Sequence, residues 1–287
     1  MISLQSLKRN GGALRLYRSL LIAVALALEA GRAYGGAWTL ASGDALFILT
    51  GSSYDAGERF DDKGHAKSQP DYRQYDLNPY IEYGLRDGVT IGADTQLQRA
   101  SQGGNPTLRG QNNTGIGDSE IFLRKRLWQQ NGFAVSIQPL IKLPSLQSSA
   151  SDIPKLGNSH PDAALGLSGG YGFSAAGLNH FIALDTQYRY RFGAQKNQTN
   201  FAATAGIHVS QRWTIMPQAF LTYRTGKRAN AGFTESSADD YNLVRLQLAA
   251  VYELRKDVSL QFGGFDDIYG KDTGHGRGVL LALWKRF

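Results

Sequence analysis

From Tyr75 the odd positions read Tyr75, Leu77, Pro79, Ile81, Tyr83 and Leu85, while Gln74, Asp76, Asn78, Tyr80, Glu82 and Gly84 fill the even ones. A strand turns successive side chains to opposite faces, so this period of two predicts one apolar, aromatic face and one polar, partly ionised face. Arg86-Asp87-Gly88 supplies the Asp-Gly signal of a tight hairpin. The alternation resumes beyond it with Val89, Ile91, Ala93, Thr95 and Leu97 against Thr90, Gly92, Asp94, Gln96 and Gln98.

The pattern continues to the end of the chain. Ile121, Leu123 and Leu127 alternate with Glu120, Phe122, Arg124 and Arg126, and Leu165 and Leu167 face away from Ser168. Ile182, Leu184, Tyr188, Tyr190 and Phe192 oppose Asp185, Gln187, Arg189 and Arg191; Leu246 and Leu248 lead to Tyr252, and Val279, Leu281 and Leu283 to the terminal Phe287. A first strand is expected over Asp44 to Ser53, but Ala45 to Leu49 is apolar on both parities and leaves its facing open. The total is roughly twelve strands, an even number, with short connections near 86–88, 129–132, 174–179, 211–212 and 255–257. Mostly longer ones fall at 54–71, 101–115, 144–161, 193–199, 225–240 and 270–275.

A soluble barrel or sandwich would alternate too, but it turns its apolar face inward and fills a small interior with bulky side chains. Here the polar face is rich in glycine and ionisable groups, and the apolar face ends repeatedly in Tyr, Trp or Phe, as the aromatic girdles of a membrane barrel do. The fold class expected is all-β: an antiparallel transmembrane β-barrel of about twelve strands over residues 36–287, with short periplasmic turns and longer extracellular loops. Phe287, on the outward parity of the last strand, resembles the terminal signal read by the barrel-assembly machinery of the outer membrane.

The formal charge of +7 invites a nucleic-acid partner until its location is examined. Residues 1–35 hold Lys8, Arg9, Arg15, Arg18 and Arg32 against Glu29, a net four of the seven, so the rest of the chain keeps +3. That leader has a basic start, an apolar run from Leu20 to Leu28 and small residues at Ala33-Tyr34-Gly35, the pattern of a cleavable secretory signal. Cleavage before Gly36 is preferred and Gly31-Arg32-Ala33 is a second site; the apolar run is short of the roughly 20 residues of a helical span. The absence of cysteine excludes disulfide, zinc-thiolate and thiol-nucleophile chemistry. Neither a nucleic-acid partner nor a cofactor is indicated.

Several segments resemble a family of Gram-negative outer-membrane barrels named for the meta-cleavage pathway of phenol degradation and labelled transporters. They are Gly36-Ala37-Trp38-Thr39-Leu40, Tyr80-Ile81-Glu82-Tyr83-Gly84-Leu85, Gly117-Asp118-Ser119-Glu120 running to Arg124-Lys125-Arg126-Leu127, and Ile141-Lys142-Leu143-Pro144. The resemblance covers most of the chain after residue 35 and implies uptake of small compounds, aromatic ones among them, across the outer membrane.

In the barrel reading the lumen receives Asp76, Glu82, Asp94, Asp118, Glu120, Asp162, Asp185 and Glu253 with Arg124, Arg126, Lys142, Arg189, Arg191, Arg224, Arg245 and Arg286, and the solute path runs past Glu82, Asp94, Glu120, Arg124, Arg126, Asp185, Arg189, Arg191 and Arg245. The signs are matched along the inner face, whereas a strongly selective pore would carry rings of one sign. Asp94, Arg124, Asp185 and Arg245 fall near mid-depth and either line a constriction or form a structural salt-bridge network. Arg189 and Arg191 fall near the outer mouth, within reach of loop carboxylates such as Asp239 and Asp240. On the outward parity, Arg99 is placed to meet lipopolysaccharide phosphate, and Lys125 and Lys285 to snorkel at the periplasmic interface. The expected function is a passive channel or transporter, not an enzyme. The rivals are a lipid hydrolase, which needs Ser and His together near the outer leaflet, and a structural barrel with a sealed lumen. Ser159-His160 is an adjacent pair without a triad pattern, and neither G-x-S-x-G nor H-E-x-x-H occurs.

Overall fold

The computed structural model describes residues 36–103, 110–145, 154–157, 160–193, 195–225 and 240–287; the expected signal at 1–35 lies outside them. Among the described residues there are twelve strands: β1 (Ala45–Phe60), β2 (Ala66–Arg86), β3 (Val89–Gln102), β4 (Gln111–Gln130), β5 (Phe133–Leu143), β6 (Asp162–Ala175), β7 (Leu178–Arg191), β8 (Asn197–His208), β9 (Trp213–Thr225), β10 (Asn242–Arg255), β11 (Val258–Lys271) and β12 (Thr273–Arg286). Each pairs antiparallel with its neighbours in sequence, and β1 closes on β12 from Leu46 opposite Arg286 to Phe60 opposite Thr273. Closure leaves no unpaired edge, which a strand-built membrane span requires.

The faces fall as the alternation predicts. Leu248, Val279 and Leu281 are about 60% exposed, whereas their neighbours Ala249, Leu280 and Ala282 are at most 5% exposed. The exposed set forms an apolar belt bounded near the periplasmic turns by Trp128, Phe133, Tyr171 and Phe173, successive rings 4.2 to 6.3 Å apart. The facing of β1 is settled by its partners: Leu46, Ile48 and Thr50 point inward.

Some outer connections are shorter than the alternation suggests, while those expected at 144–161 and 225–240 fall between β5 and β6 and between β9 and β10 as placed. The segment expected as a loop over 54–71 is mostly strand, with β1 and β2 continuing to a tip at 61–65. There Asp61 Oδ1 accepts the backbone N–H groups of Lys63 at 2.9 Å and His65 at 2.8 Å. Beyond the bilayer both faces of a hairpin are solvated, so apolar alternation stops while the backbone ladder goes on. The connection expected over 270–275 likewise shrinks to Asp272, whose φ is +56°.

Candidate functional site

The lumen has two halves of different character. In the periplasmic half, residues 36–44 enter the barrel and cross it. Gly43 N–H donates to the Gly84 carbonyl and Gly84 N–H to that of Asp44, both at 2.9 Å, pinning the segment to β2. Leu40 N–H donates to Thr90 Oγ1 at 2.8 Å, the Trp38 carbonyl accepts from Arg124 Nη1 at 3.2 Å, and the Ala37 carbonyl accepts from Ser136. Across the lumen the Trp38 ring meets Phe181 edge-on at 6.0 Å, and it fills the space above Gly170, where a Cβ would lie 2.5 Å from the indole. The segment therefore spans from β2 to β7. Gly36 and Ala37 are buried and Trp38 to Leu40 half-buried, so this stretch belongs to the packed interior, while Ala41 to Asp44 are exposed where the segment joins β1.

An apolar layer adjoins this bar. Leu46, Ile48, Tyr80, Phe122, Leu140, Ala164 and Ala282 form one buried cluster, with Leu40 of the entering segment and Trp284 packed against it. Tyr80 and Phe122 stand on the polar parity of their strands, and they are the sequence signal that this part of the lumen is filled.

Glu82 and Arg124 are buried beneath the layer and paired at 2.8 Å, both at most 2% exposed. Tyr80 donates to Glu82, and Arg124 Nε donates to Gln138 at 3.0 Å. Asp94 is buried opposite Tyr80 and Glu120 in register, and Asp185 lies opposite Ser168. Arg126, expected along the solute path, sits at the periplasmic rim, where it is paired with Asp87 at 2.8 Å. Its strand leaves the lumen before that position.

The outer half holds a chamber of about 550 Å³, which Arg189, Arg191 and Arg245 line and Arg124, Asp94 and Asp185 do not. The four residues expected at mid-depth are thus divided between two levels. On one wall Lys142 pairs with Asp118 at 2.9 Å and Asp162 at 3.1 Å, and Arg189 with Glu120 at 2.9 Å and Asp162 at 3.5 Å. Arg191 lies 4.0 Å from both Asp162 and Asp240; Asp239 is outside the described residues. On the opposite wall Arg245 forks onto Asp267 at 2.6 and 3.0 Å, with its guanidinium 4.2 Å from the Phe265 ring centre and 5.4 Å from that of Tyr54. Tyr54 Oη donates to the same carboxylate at 3.0 Å. The matched charges of the inner face are therefore ion pairs along its wall. Lys142, Asp118 and Asp162 stand on the inner face as the alternation placed them, whereas sequence reasoning missed Asp267, because β11 carries Asp266 and Asp267 side by side and only the register against Arg245 shows which one faces the lumen.

The remaining polar groups scatter to the ends. His65 and His275 stand at the outer tips beside Asp61 and Glu58, and His180 and His208 near the periplasmic turns. Among the described residues no group of three or more His, Asp or Glu is placed to hold a metal. Of the outward bases, Arg99 and Lys125 are exposed and Lys285 bonds to Asp257 in the β10–β11 turn.

A family model described as "Putative MetA-pathway of phenol degradation" matches residues 59–283. No curated protein matches the chain in sequence. Among solved structures, the COG4313 outer membrane channel from Pseudomonas putida F1 superposes with a TM-score of 0.67 at 14% identity, over 90% of this chain and 100% of that one. The NanC porin gives 0.52 at 9% identity, covering 83% and 98%, and the KdgM porin, solved in complex with disordered oligogalacturonate, 0.51 at 7%, covering 84% and 99%. At such identities the likeness is one of fold.

Proposed function

Because the chain belongs to the family described as "Putative MetA-pathway of phenol degradation", we propose that it is a passive outer-membrane channel for small solutes, aromatic compounds among them. Residues 1–35 act in this reading as the export signal, removed ahead of Gly36. The C-terminal strand ending in Phe287 serves recognition by the assembly machinery, and the exposed Arg99 faces lipopolysaccharide phosphate. The observation that carries the reading is a closed barrel enclosing a chamber of about 550 Å³ in its outer half, the size of a small-molecule site. No covalent step is assigned; the dispersal of the histidines to the two ends supports a non-catalytic lumen.

Passage to the periplasm requires residues 36–44 to move. They are held to the barrel wall by a handful of hydrogen bonds and one indole, and a chain without cysteine has no disulfide to fix them there. The same filling favours a second reading, a structural barrel with a sealed lumen. The two separate in planar bilayers and in liposome swelling. A channel gives discrete conductance steps and admits small phenols, and deletion of residues 36–43 enlarges the steps severalfold. Silence of both proteins, with uptake no faster than through protein-free vesicles, would leave the sealed barrel.

A further inference from the structure

The carboxylates lining the outer chamber are neutralised one by one, with a single departure. Asp118 and Asp162 face Lys142, Glu120 faces Arg189, and Asp267 faces Arg245. Asp76, on the inner face of β2, lines the same chamber and has amides in place of a cation. Gln74 Nε2 donates to its two oxygens at 2.8 and 3.0 Å, and Gln98 Nε2 donates to Oδ1 at 2.9 Å. Among the described residues no Lys, Arg or His forms an ion pair with it. Amide donors hold a carboxylate in place without cancelling its charge, and a charge on the wall of a narrow, protein-lined space acts strongly on whatever enters.

The surroundings of Asp76 point to the complement. Tyr54 and Tyr72 line the chamber beside it, 6.2 Å apart and edge to face. Tyr54 stands opposite Gln74 in the β1–β2 register, one diagonal step from Asp76, and the Tyr72 hydroxyl donates to the side-chain carbonyl of Gln74. The neighbouring part of this wall shows which ligand an acid with two aromatic rings selects: the guanidinium of Arg245 rests on Phe265 and Tyr54 and is forked to Asp267. Attraction of a cation to a ring face adds to its attraction to a carboxylate. Asp76 with Tyr72 repeats that arrangement without an ion pair of its own; Arg245, whose charge reaches it across the chamber wall, is forked to Asp267.

We propose that Asp76, Tyr54 and Tyr72 form a cation-accepting subsite of the outer chamber, which takes small solutes bearing an amine, ammonium or guanidinium group. The subsite deepens the channel reading by naming a solute class, but binding at Asp76 and conduction are separate measurements, so each fails on its own.

The test is calorimetric titration of the refolded barrel in detergent with benzyltrimethylammonium, against benzyl alcohol and benzoate as neutral and anionic counterparts. The wild-type protein binds the ammonium at least tenfold more tightly than either. Asp76→Asn removes that preference and leaves the weak binding of benzyl alcohol unchanged, Tyr72→Leu reduces it severalfold, and Asp76→Glu retains it. Heat-modifiable migration on gels verifies each barrel, and if Asp76→Asn does not fold, Tyr72→Leu with Asp76→Glu decides the question. Equal affinity for ammonium and benzoate in the wild type, or an unchanged preference in Asp76→Asn, overturns the subsite. Binding without conductance sinks the transport reading alone; conductance without this binding sinks the subsite alone.

Discussion

Arg124 shows how one residue ties the barrel wall to the segment inside it. Its guanidinium holds Glu82, Gln138 and the Trp38 carbonyl while almost wholly excluded from solvent. Removing one member of a buried pair strands the other charge, which costs about 3–5 kcal/mol. Arg124→Ala is therefore expected to lower unfolding stability in urea by that amount, whereas Arg124→Met combined with Glu82→Gln loses much less; equal losses would show that the pair is not the cause. At the exposed β1–β2 tip Asp61 carries a smaller effect. The N–H of His65, then that of Lys63 and the nearby charges of His65 and Lys67, hold its carboxyl below the usual carboxylate range. The tip is therefore stabilised above the unfolded aspartate pKa of about 3.9, and that contribution disappears as pH falls through the lower folded value. The His65 amide shift followed by NMR should titrate with a midpoint below about 3.9; a midpoint at or above it would contradict the tip geometry. The identity of both residues was readable in the sequence, but not their partners, since the Arg124 contacts reach 42 residues to Glu82 and 86 to Trp38.

At the scale of the element, hairpins carry the fold, and their turns differ in quality. Asn131-Gly132 and Ala176-Gly177 both take left-handed conformations at two successive residues, with φ of +51° and +83° in the first and +50° and +74° in the second. This is the twist that two-residue hairpins require, and it suits Asn and Gly. Ala176 has a Cβ and no side-chain hydrogen bond to offset the strain, which costs roughly 1 kcal/mol or more. Ala176→Asn should raise unfolding stability by about 0.5–1 kcal/mol, measured by urea titration of the refolded barrel; a loss would mean that the Ala methyl makes a contact worth more than the strain. The strands themselves were legible wherever one face met lipid, as in β7 and β10, and illegible past it. The outer part of β1 and β2 keeps its ladder from Glu58 opposite Ser68 to Phe60 opposite Ala66 with no apolar alternation to announce it.

On the scale of the whole molecule, twelve strands enclose more space than their own inward side chains fill, and the N-terminal segment occupies part of the surplus. The outer chamber is what remains open. Its charges, Asp76 apart, are paired locally, so a conducting barrel should discriminate only weakly, in favour of cations, among small inorganic ions. Arg189→Gln, which withdraws a cation from Glu120 and Asp162, should move the reversal potential under a salt gradient toward cation selectivity; no movement would place Arg189 outside the ion path. The alternation along the chain determined by itself the class of fold, the approximate number of strands and which face of most of them meets lipid, because each of these is a local property of period two and of the turns between. It determined the charge balance of the inner face as well. Only the tertiary structure decided that residues 36–44 bridge the lumen, that Arg124 and Arg245 belong to different levels, and that Asp76 faces the chamber without a cation. Those facts depend on register around a closed barrel, where residues far apart in sequence become neighbours through hydrogen-bond ladders that no short window of sequence contains.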